Sequence, residues 1–285
     1  MPTFETYSDS QVTKMLLIGD SGAGKTGSLV SLAAAGYNVR ILDLDQGIEV
    51  IHDFVKNPKS IYLNEVKGLW TGEMAKETIK RLTYVTLTEK VKIIKSQPMP
   101  EGRLWNEITE QLDDWKDGDK TLGNIGTWGS KDILVIDGLS RLSMAAFNFQ
   151  LKMNGRLNQP QQSDYGLAQG YIRRLLMMLY SSEVKCNVIV ICHVKMTETE
   201  MGPTKGFPQT IGSALGPEVG QYFNHALLAK TSGSGENIKR VIRTSTAGLI
   251  ELKSAAPLRV KPEYDLATGL AEYFRDIRGI EPKAQ

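Results

Sequence analysis

Gly19-Asp20-Ser21-Gly22-Ala23-Gly24-Lys25-Thr26 reads GDSGAGKT and fits the pattern G-x-x-x-x-G-K-[ST] at every fixed position. The flanking residues supply the context that this pattern needs. Met15, Leu16, Leu17 and Ile18 come just before it, an apolar run that reads as a buried strand. Leu29, Val30, Leu32 and Ala33 follow at helical spacing, and Gly36 offers a C-cap. In a strand–turn–helix unit of this kind the glycines let backbone N–H groups curl around a phosphate chain with no Cβ in the way. The helix N-terminus adds partial positive charge. Lys25 reaches the β- and γ-phosphates as a point charge, and the Thr26 hydroxyl is a ligand for Mg2+. The expected nucleotide-binding set is Gly19, Asp20, Ser21, Gly22, Ala23, Gly24, Lys25, Thr26 and Gly27.

Three further apolar runs end in polar groups. VRILDLD, from Val39 to Asp45, reads as a second strand, and Asp43 and Asp45 share a parity and so a face. A carboxylate at such a strand end, beside a phosphate loop, orients a water for attack on a γ-phosphate. Asp is also a common helix or turn cap, and the residues alone leave the two readings balanced. DILVID, ending at Asp137, is the Walker B pattern, in which the carboxylate holds the waters of Mg2+. NVIVIC, from Asn187 to Cys192, is the next buried strand, and His193 follows it. Ligands sit at the C-terminal ends of parallel strands, which favours a phosphate-sensing His193 over an ordinary structural histidine.

The rest of the chain sets bounds. At 285 residues it is one large domain or two small ones. Its net charge of +2, from 34 basic and 32 acidic residues, argues for neither nucleic acid nor membrane by itself. Cys186 and Cys192 fit no metal spacing and read as buried reduced thiols, which suits a cytoplasmic protein. No apolar run approaches the ~18 residues of a membrane span. Residues 1–13 read as an N-terminal arm. Residues 61–63 read as a short strand, and 73–95 as a helix with a break. Trp105, Ile108, Leu112 and Trp115 form one helical stripe and read as core. Asp117 to Ser130 is a Gly-rich connector. Asn154 to Asp164 reads as a mobile loop, with Ser163 or Asp164 capping the next helix. Leu266, Leu270, Phe274 and Ile277 mark a last amphipathic helix.

The order of these pieces resembles the RecA-like ATPases, and among them the phage RecA-like single-strand annealing proteins. The resemblance covers about residues 14–262. It rests on GDSGAGKT, ILDLDQG at Ile41, ILVID at Ile133, SDYGLAQGYIRRLL at Ser163 and ICHVKM at Ile191. RVIRTS at Arg240 and ELKSAAP at Glu251 add to it. The resemblance places Asp45 where RecA has a catalytic Glu, and His193 where RecA has a sensor Gln. It implies that the loops Asn154 to Asp164 and Thr197 to Gln221 line the axis of an assembly and grip single-stranded DNA. In the second loop, Lys205 and Phe207 offer a cation and an aromatic face. The run from Lys230 to Lys261 holds seven basic residues against Glu236 and Glu251. Within it, Arg243 is the expected cation for a neighbouring subunit's γ-phosphate, with Lys253 second.

The expected fold is therefore α/β: a RecA-like P-loop core with a mainly parallel sheet flanked by helices on both faces. It divides into an arm (1–13), the ATPase core (14–262) and a C-terminal helix and tail (263–285). Expected function is Mg2+-dependent, DNA-stimulated ATP hydrolysis in recombination or annealing. Lys25, Asp45, His193 and Arg243 are the catalytic residues, and Thr26 and Asp137 the metal ligands. The expected partners are single-stranded DNA, a single-strand DNA-binding protein and further copies of the chain in a ring or filament, with no membrane. The location is cytoplasmic, in a host cell if phage-encoded. The alternatives are a nucleotide-switched helicase loader or scaffold, and a small-molecule P-loop kinase, for which no compact Arg-rich lid is visible.

Overall fold

A computed structural model describes residues 12–56, 72–94, 96–157, 159–199, 202–233, 237–246 and 248–279. The chain enters through β1 (Lys14–Gly19), buried at all six positions as an interior parallel strand must be. The short helices α1 (Lys25–Ser28) and α2 (Val30–Ala34) follow. Gly36, at φ 93°, closes α2 in the left-handed conformation that glycine adopts without strain. Then come β2 (Asn38–Asp43), α3 (Glu49–Lys56), α4 (Gly72–Arg81) and β3 (Leu82–Thr86). A hairpin, β4 (Val91–Ile94) and β5 (Gln97–Pro100), leads to α5 (Leu104–Asp113) and a second small hairpin, β6 (Trp115–Asp117) and β7 (Lys120–Gly123). The Walker B strand β8 (Asp132–Asp137) is followed by two long helices, α6 (Leu139–Met153) and α7 (Gln162–Tyr180). Next are β9 (Asn187–Cys192) and the hairpin β10 (Val194–Thr199) and β11 (Gly202–Pro208). The strands β12 (His225–Ser232), β13 (Lys239–Arg243) and β14 (Glu263–Asp265) precede a final helix, α8 (Gly269–Ile277).

Eight of these strands form one sheet in the order β14-β13-β12-β1-β9-β8-β2-β3. Every pair from β12 to β3 is parallel, and β13 and β14 extend one edge antiparallel. Strand β9 thus lies between the P-loop strand β1 and the Walker B strand β8. The sheet is flanked on both faces. Leu16 and Ile18 face a core built with Trp105, Ile108, Leu142, Ile172 and Leu176 of α5, α6 and α7. Met15 and Leu17 face the other, which includes Leu29, Leu32, Ile51, Leu270 and Phe274 of the helical layer opposite. The alternation within one apolar run is the pleat of a strand buried on both sides.

Several segments differ from their sequence reading. Residues 82–86, expected as helix, form edge strand β3, paired parallel with β2. The run LTYVT is rich in β-branched and aromatic residues, which fit a pleated, half-buried surface better than a helix interior. The stripe from Trp105 to Trp115 is buried throughout, but α5 stops at Asp113 and Trp115 belongs to β6. The connector after Asp117 carries strand β7. The segment from 263, set apart by the sequence reading, joins the core: β14 pairs with β13, and Tyr264, Leu270, Tyr273 and Phe274 are buried. Thr13, placed in the arm, donates its N–H to Asn187 Oδ1 at 2.9 Å. The remainder of the arm up to residue 11 and the strand expected at 61–63 lie outside the described residues. Both cysteines are buried and free, and burial pushes their thiols up, to about 11 for Cys186 and about 12 for Cys192. Among the described residues, no helix is long and apolar enough to cross a membrane.

The last helix is held to the sheet by polar groups as well as apolar ones. His225 at the start of β12 is 4% exposed, and its Nδ1 lies 2.6 Å from the Tyr273 hydroxyl. That hydroxyl donates to Ser254 Oγ at 2.9 Å, and Lys253 is the nearby cation. Burial, helped by the Lys253 charge, lowers the His225 pKa to about 4. In the unfolded chain the imidazole titrates near its ordinary value of 6.5, so between about 4 and 6.5 the unfolded state binds the extra proton. Stability is therefore full above 6.5, falls as pH drops through that window, and levels off below it. The shift corresponds to roughly 3 kcal/mol. Thermal melts from pH 7 to 4 should show this loss, and His225→Gln should show a shallower acid slope than wild type.

Candidate nucleotide site

The site gathers at the C-terminal ends of β1, β9, β8 and β2. Gly22 and Gly24 of the phosphate loop have φ of 75° and 86°, a conformation other residues adopt at a cost. Gly19 has a different reason to be glycine: a Cβ there would come 2.6 Å from the carbonyl oxygen of Ala229 on β12. Lys25 is 6% exposed, and its Nζ donates to the carbonyls of Gly19 and Asp20 at 2.8 Å each. Burial lowers its pKa. The cation is thereby folded back over the loop.

Thr26 Oγ1 donates to Asp137 Oδ2 at 2.6 Å. A hydroxyl and a carboxylate at this separation are hard oxygen donors of the kind Mg2+ selects, so these residues fit the ion the sequence implies. Burial, with the charges of Asp45 and Asp43 nearby, pushes Asp137 up to about 6 despite the Thr26 hydrogen bond.

Asp43 and Asp45, indistinguishable in the sequence, are separated by their surroundings. Asp43 is 1% exposed and accepts hydrogen bonds from the Gly47 N–H and the Thr86 hydroxyl, both at 3.0 Å. It braces the turn after β2 against β3. Asp45 lies beyond the strand end, because β2 stops at Asp43. Its N–H and that of Leu44 both donate to the Asp137 carbonyl, at 3.2 and 2.5 Å, which carries its carboxylate toward the Walker B strand. Asp45 Oδ2 is 3.6 Å from His193 Nε2, and Oδ1 is 3.5 Å from Arg141 Nε. A side chain at Gly138 would collide with this carboxylate. Arg141, in the first turn of α6, is a site residue that the sequence reading missed. The available signal was its place in GLSRL, four residues past Asp137. A cleft of about 330 Å3 opens here, lined by Asp45, Ser140, Arg141, Met144, His193 and Thr210.

The structure thus brings Lys25, Thr26, Asp45, Asp137 and His193 together. It places Arg243 elsewhere, at the end of β13, which is separated from β1 by β12, with its Nε 3.2 Å from Glu263. Among its described residues, the segment expected as a flexible DNA loop from Thr197 to Gln221 is largely the β10–β11 hairpin and a 3-10 turn from Gly216 to Tyr222. Lys205 pairs with Glu251 at 2.9 Å, and Phe207 is half-buried. In the other expected loop, Asp164 is buried and closes a capping box with Gln161 at the head of α7. Asn154 donates to the same carboxylate at 2.6 Å, which ties the two ends of that loop together.

Residues 11–254 match the AAA domain family AAA_24. The chain belongs to this AAA family. Nucleotide binding by an ATPase of the P-loop class follows from the family and the site together. Among solved structures, similar chains include the RadB recombinase, at 14% identity and a TM-score of 0.40, covering 84% of this chain and 83% of that one. A KaiC-like protein from Pyrococcus horikoshii is 12% identical with a TM-score of 0.39, covering 81% and 77%. The flagellar accessory protein FlaH from Methanocaldococcus jannaschii is 10% identical with a TM-score of 0.36, covering 90% and 80%. No curated protein matches the chain in sequence.

The different settings of the two aspartates in this AAA domain give different mutant behaviour. Asp43→Ala removes a buried carboxylate that accepts two part-buried hydrogen bonds and should lower stability by about 1–3 kcal/mol. Asp45→Asn is nearly isosteric at a partly exposed position and should change it by no more than about 0.5 kcal/mol. Urea unfolding of the two variants checks this.

Proposed function

We propose that the chain hydrolyses Mg2+-ATP and acts on single-stranded DNA in recombination or strand annealing, as the resemblance to phage annealing proteins implies, in an assembly of several copies. The observation that carries the ATPase reading is the convergence of Lys25, Thr26, Asp137, Asp45 and His193 at one set of strand ends. In this reading the loop amides and Lys25 hold the phosphates. Thr26 and Asp137 hold Mg2+, which when bound neutralises phosphate charge. Asp45 accepts a hydrogen bond from the attacking water and orients it, and His193 donates to the γ-phosphate from the opposite side of the carboxylate. The remaining loop residues Ser21, Ala23 and Gly27 contribute backbone contacts.

The DNA part of the proposal rests on how the hairpin is attached. β10 starts immediately after His193, and at the hairpin's other end the Gln209 N–H donates to the His193 carbonyl at 2.8 Å. Both ends of the hairpin are thus pinned at the residue assigned to sense phosphate, so nucleotide state is transmitted to the surface that carries Lys205 and Phe207. A loader or scaffold for a helicase or a single-strand DNA-binding protein is the second reading. It is favoured by the Lys205–Glu251 pair, which neutralises one cation of the hairpin.

Lys25→Ala should abolish ATP turnover while leaving the fold intact; normal turnover in the folded variant would overturn the assignment. Fluorescence anisotropy with a labelled oligonucleotide should show tighter binding with a non-hydrolysable ATP analogue. Lys205→Ala should reduce the slope of log K against log salt by about 0.7. Phe207→Ala should weaken binding by about 1–3 kcal/mol with the slope unchanged. If the analogue and both substitutions leave affinity unaltered, the loader reading replaces the DNA reading.

For Arg243 we propose a role in trans, which requires the Glu263 pair to open at a subunit junction. Mixing Arg243→Ala with Lys25→Ala subunits, each inactive alone, should then restore part of the activity.

A further inference from the structure

The hairpin β4–β5 stands outside the main sheet and forms a two-stranded sheet of its own. Its register sets Val91 against Pro100 and Ile93 against Pro98 on one face. Lys92 meets Met99, and Ile94 meets Gln97, on the other. The first face is wholly apolar, yet Val91 is 58% and Ile93 79% exposed. A hairpin of two strands is marginal in water, and such a face gains from a third strand. The base of the hairpin is fixed. Glu89 accepts from the Gly102 N–H at 2.8 Å and from the Asn148 side chain of α6 at 3.3 Å.

The backbone distinguishes the two edges. The Glu101 N–H donates to the Lys90 carbonyl at 2.7 Å, one pair beyond Val91 and Pro100. Bonded and non-bonded pairs alternate in an antiparallel ladder, so Lys92–Met99 and Ile94–Gln97 are bonded pairs. The N–H and C=O groups of Val91 and Ile93 therefore point away from β5, and among the described residues no strand meets them. On β5 the outward positions are Pro98 and Pro100, which have no N–H. One edge of the hairpin is closed to strand addition and the other is open.

Charge decides what the open edge accepts. Lys90 and Lys92 share the face opposite Val91 and Ile93, with side chains 67% and 64% exposed. Their carboxylate neighbours, Glu107 and Glu101, are each 3.5 Å away, and exposed pairs of this kind are weak enough to be shared. A second copy of the chain fits poorly. About a twofold axis, pairing Val91 with Ile93 sets Lys92 against Lys92, and like charges directly opposite repel.

We propose that β4 is a docking edge for an extended segment of a partner protein in which acidic and apolar residues alternate. Added as a third strand, the segment lays its apolar residues beside Val91 and Ile93 and its carboxylates beside Lys90 and Lys92. None of the nucleotide-site residues belongs to this hairpin, and the proposal does not rest on the ATPase reading. Fluorescence anisotropy of the full chain with a labelled EVEIEVE peptide tests it, with KVKIKVK and VVIEEEE, the same acidic composition in blocks, as controls. The alternating acidic peptide should bind about tenfold more tightly than either control. Lys90→Glu/Lys92→Glu should reverse the preference, so that KVKIKVK binds better than EVEIEVE. Ile93→Pro removes an outward N–H without touching a bonded pair and should weaken binding about tenfold, whereas Ile93→Val should keep it. Lys25→Ala should bind the peptide as the wild type does. Thermal melts show whether Ile93→Pro is folded, and the charge reversal carries the test if it is not. Equal binding of the block peptide, an unchanged preference after charge reversal, or undiminished binding by folded Ile93→Pro would each overturn the proposal. So would a wild-type dimer that Ile93→Pro dissociates, which would give the edge to a second copy.

Discussion

Thr26 and Asp137 meet across a strand that belongs to neither of their motifs. β1 and β8 are not neighbours; β9 lies between them, paired to both. The 2.6 Å hydrogen bond between the two side chains forms only if α1 begins above the end of β9 and if all three strands stop at one level. The register supplies that level: Cys192 pairs with Ile18, and Ile191 with Asp137. The glycines at the site keep the remaining space clear. Gly19 leaves room for the Ala229 carbonyl, and Gly138 for the Asp45 carboxylate. A methyl group at either place would move a strand end or a charged group that the site depends on.

The parts of this arrangement legible in the sequence are those encoded locally. GDSGAGKT combines a turn conformation, a cation and a hydroxyl in one segment, and a buried parallel strand announces itself as an unbroken apolar run. β1, β8, β9 and the end of β2 were readable for that reason, as was the amphipathic stripe of α8. The parts that were hidden depend on partners far away in the chain. LTYVT becomes a strand because β2 offers it an edge, and KRVIR because β12 does. Asp43 and Asp45 have the same chemistry and the same parity. Only the Thr86 hydroxyl, the Gly47 amide and the Asp137 carbonyl distinguish them. Arg141 was hidden because a single arginine after a Walker B strand has no pattern. Its meaning comes from a carboxylate 96 positions earlier in the chain, delivered by the pairing of β2 with β8.

The same dependence explains why a stretch rich in glycine and threonine proved ordered. A sequence such as GPTKGFPQT has turn-forming residues and little apolar periodicity. It is ordered because β10 supplies backbone partners and because Gly206 lies tightly against Ile250, Met196 and Val194. Residues 206 and 250 also form a bridge between the hairpin and the segment after β13. The hairpin is thus braced at its base by His193 and along its side by a distant loop.

The position of α8 has a consequence for how the protein is made. The helix covers the P-loop side of the sheet: Phe274 shares a core with Leu29 and Leu32, and the Ala271 N–H donates to Ser31 Oγ. Arg278 reaches both the Tyr37 hydroxyl and Asn187. On a ribosome, the first strand and its phosphate loop emerge long before these partners do. Until about residue 278 is available, the apolar face around Leu29 and Leu32 has no cover of its own and is a site for chaperone capture or for off-pathway association. A segment translated well before α8 is thus among the last to be sealed.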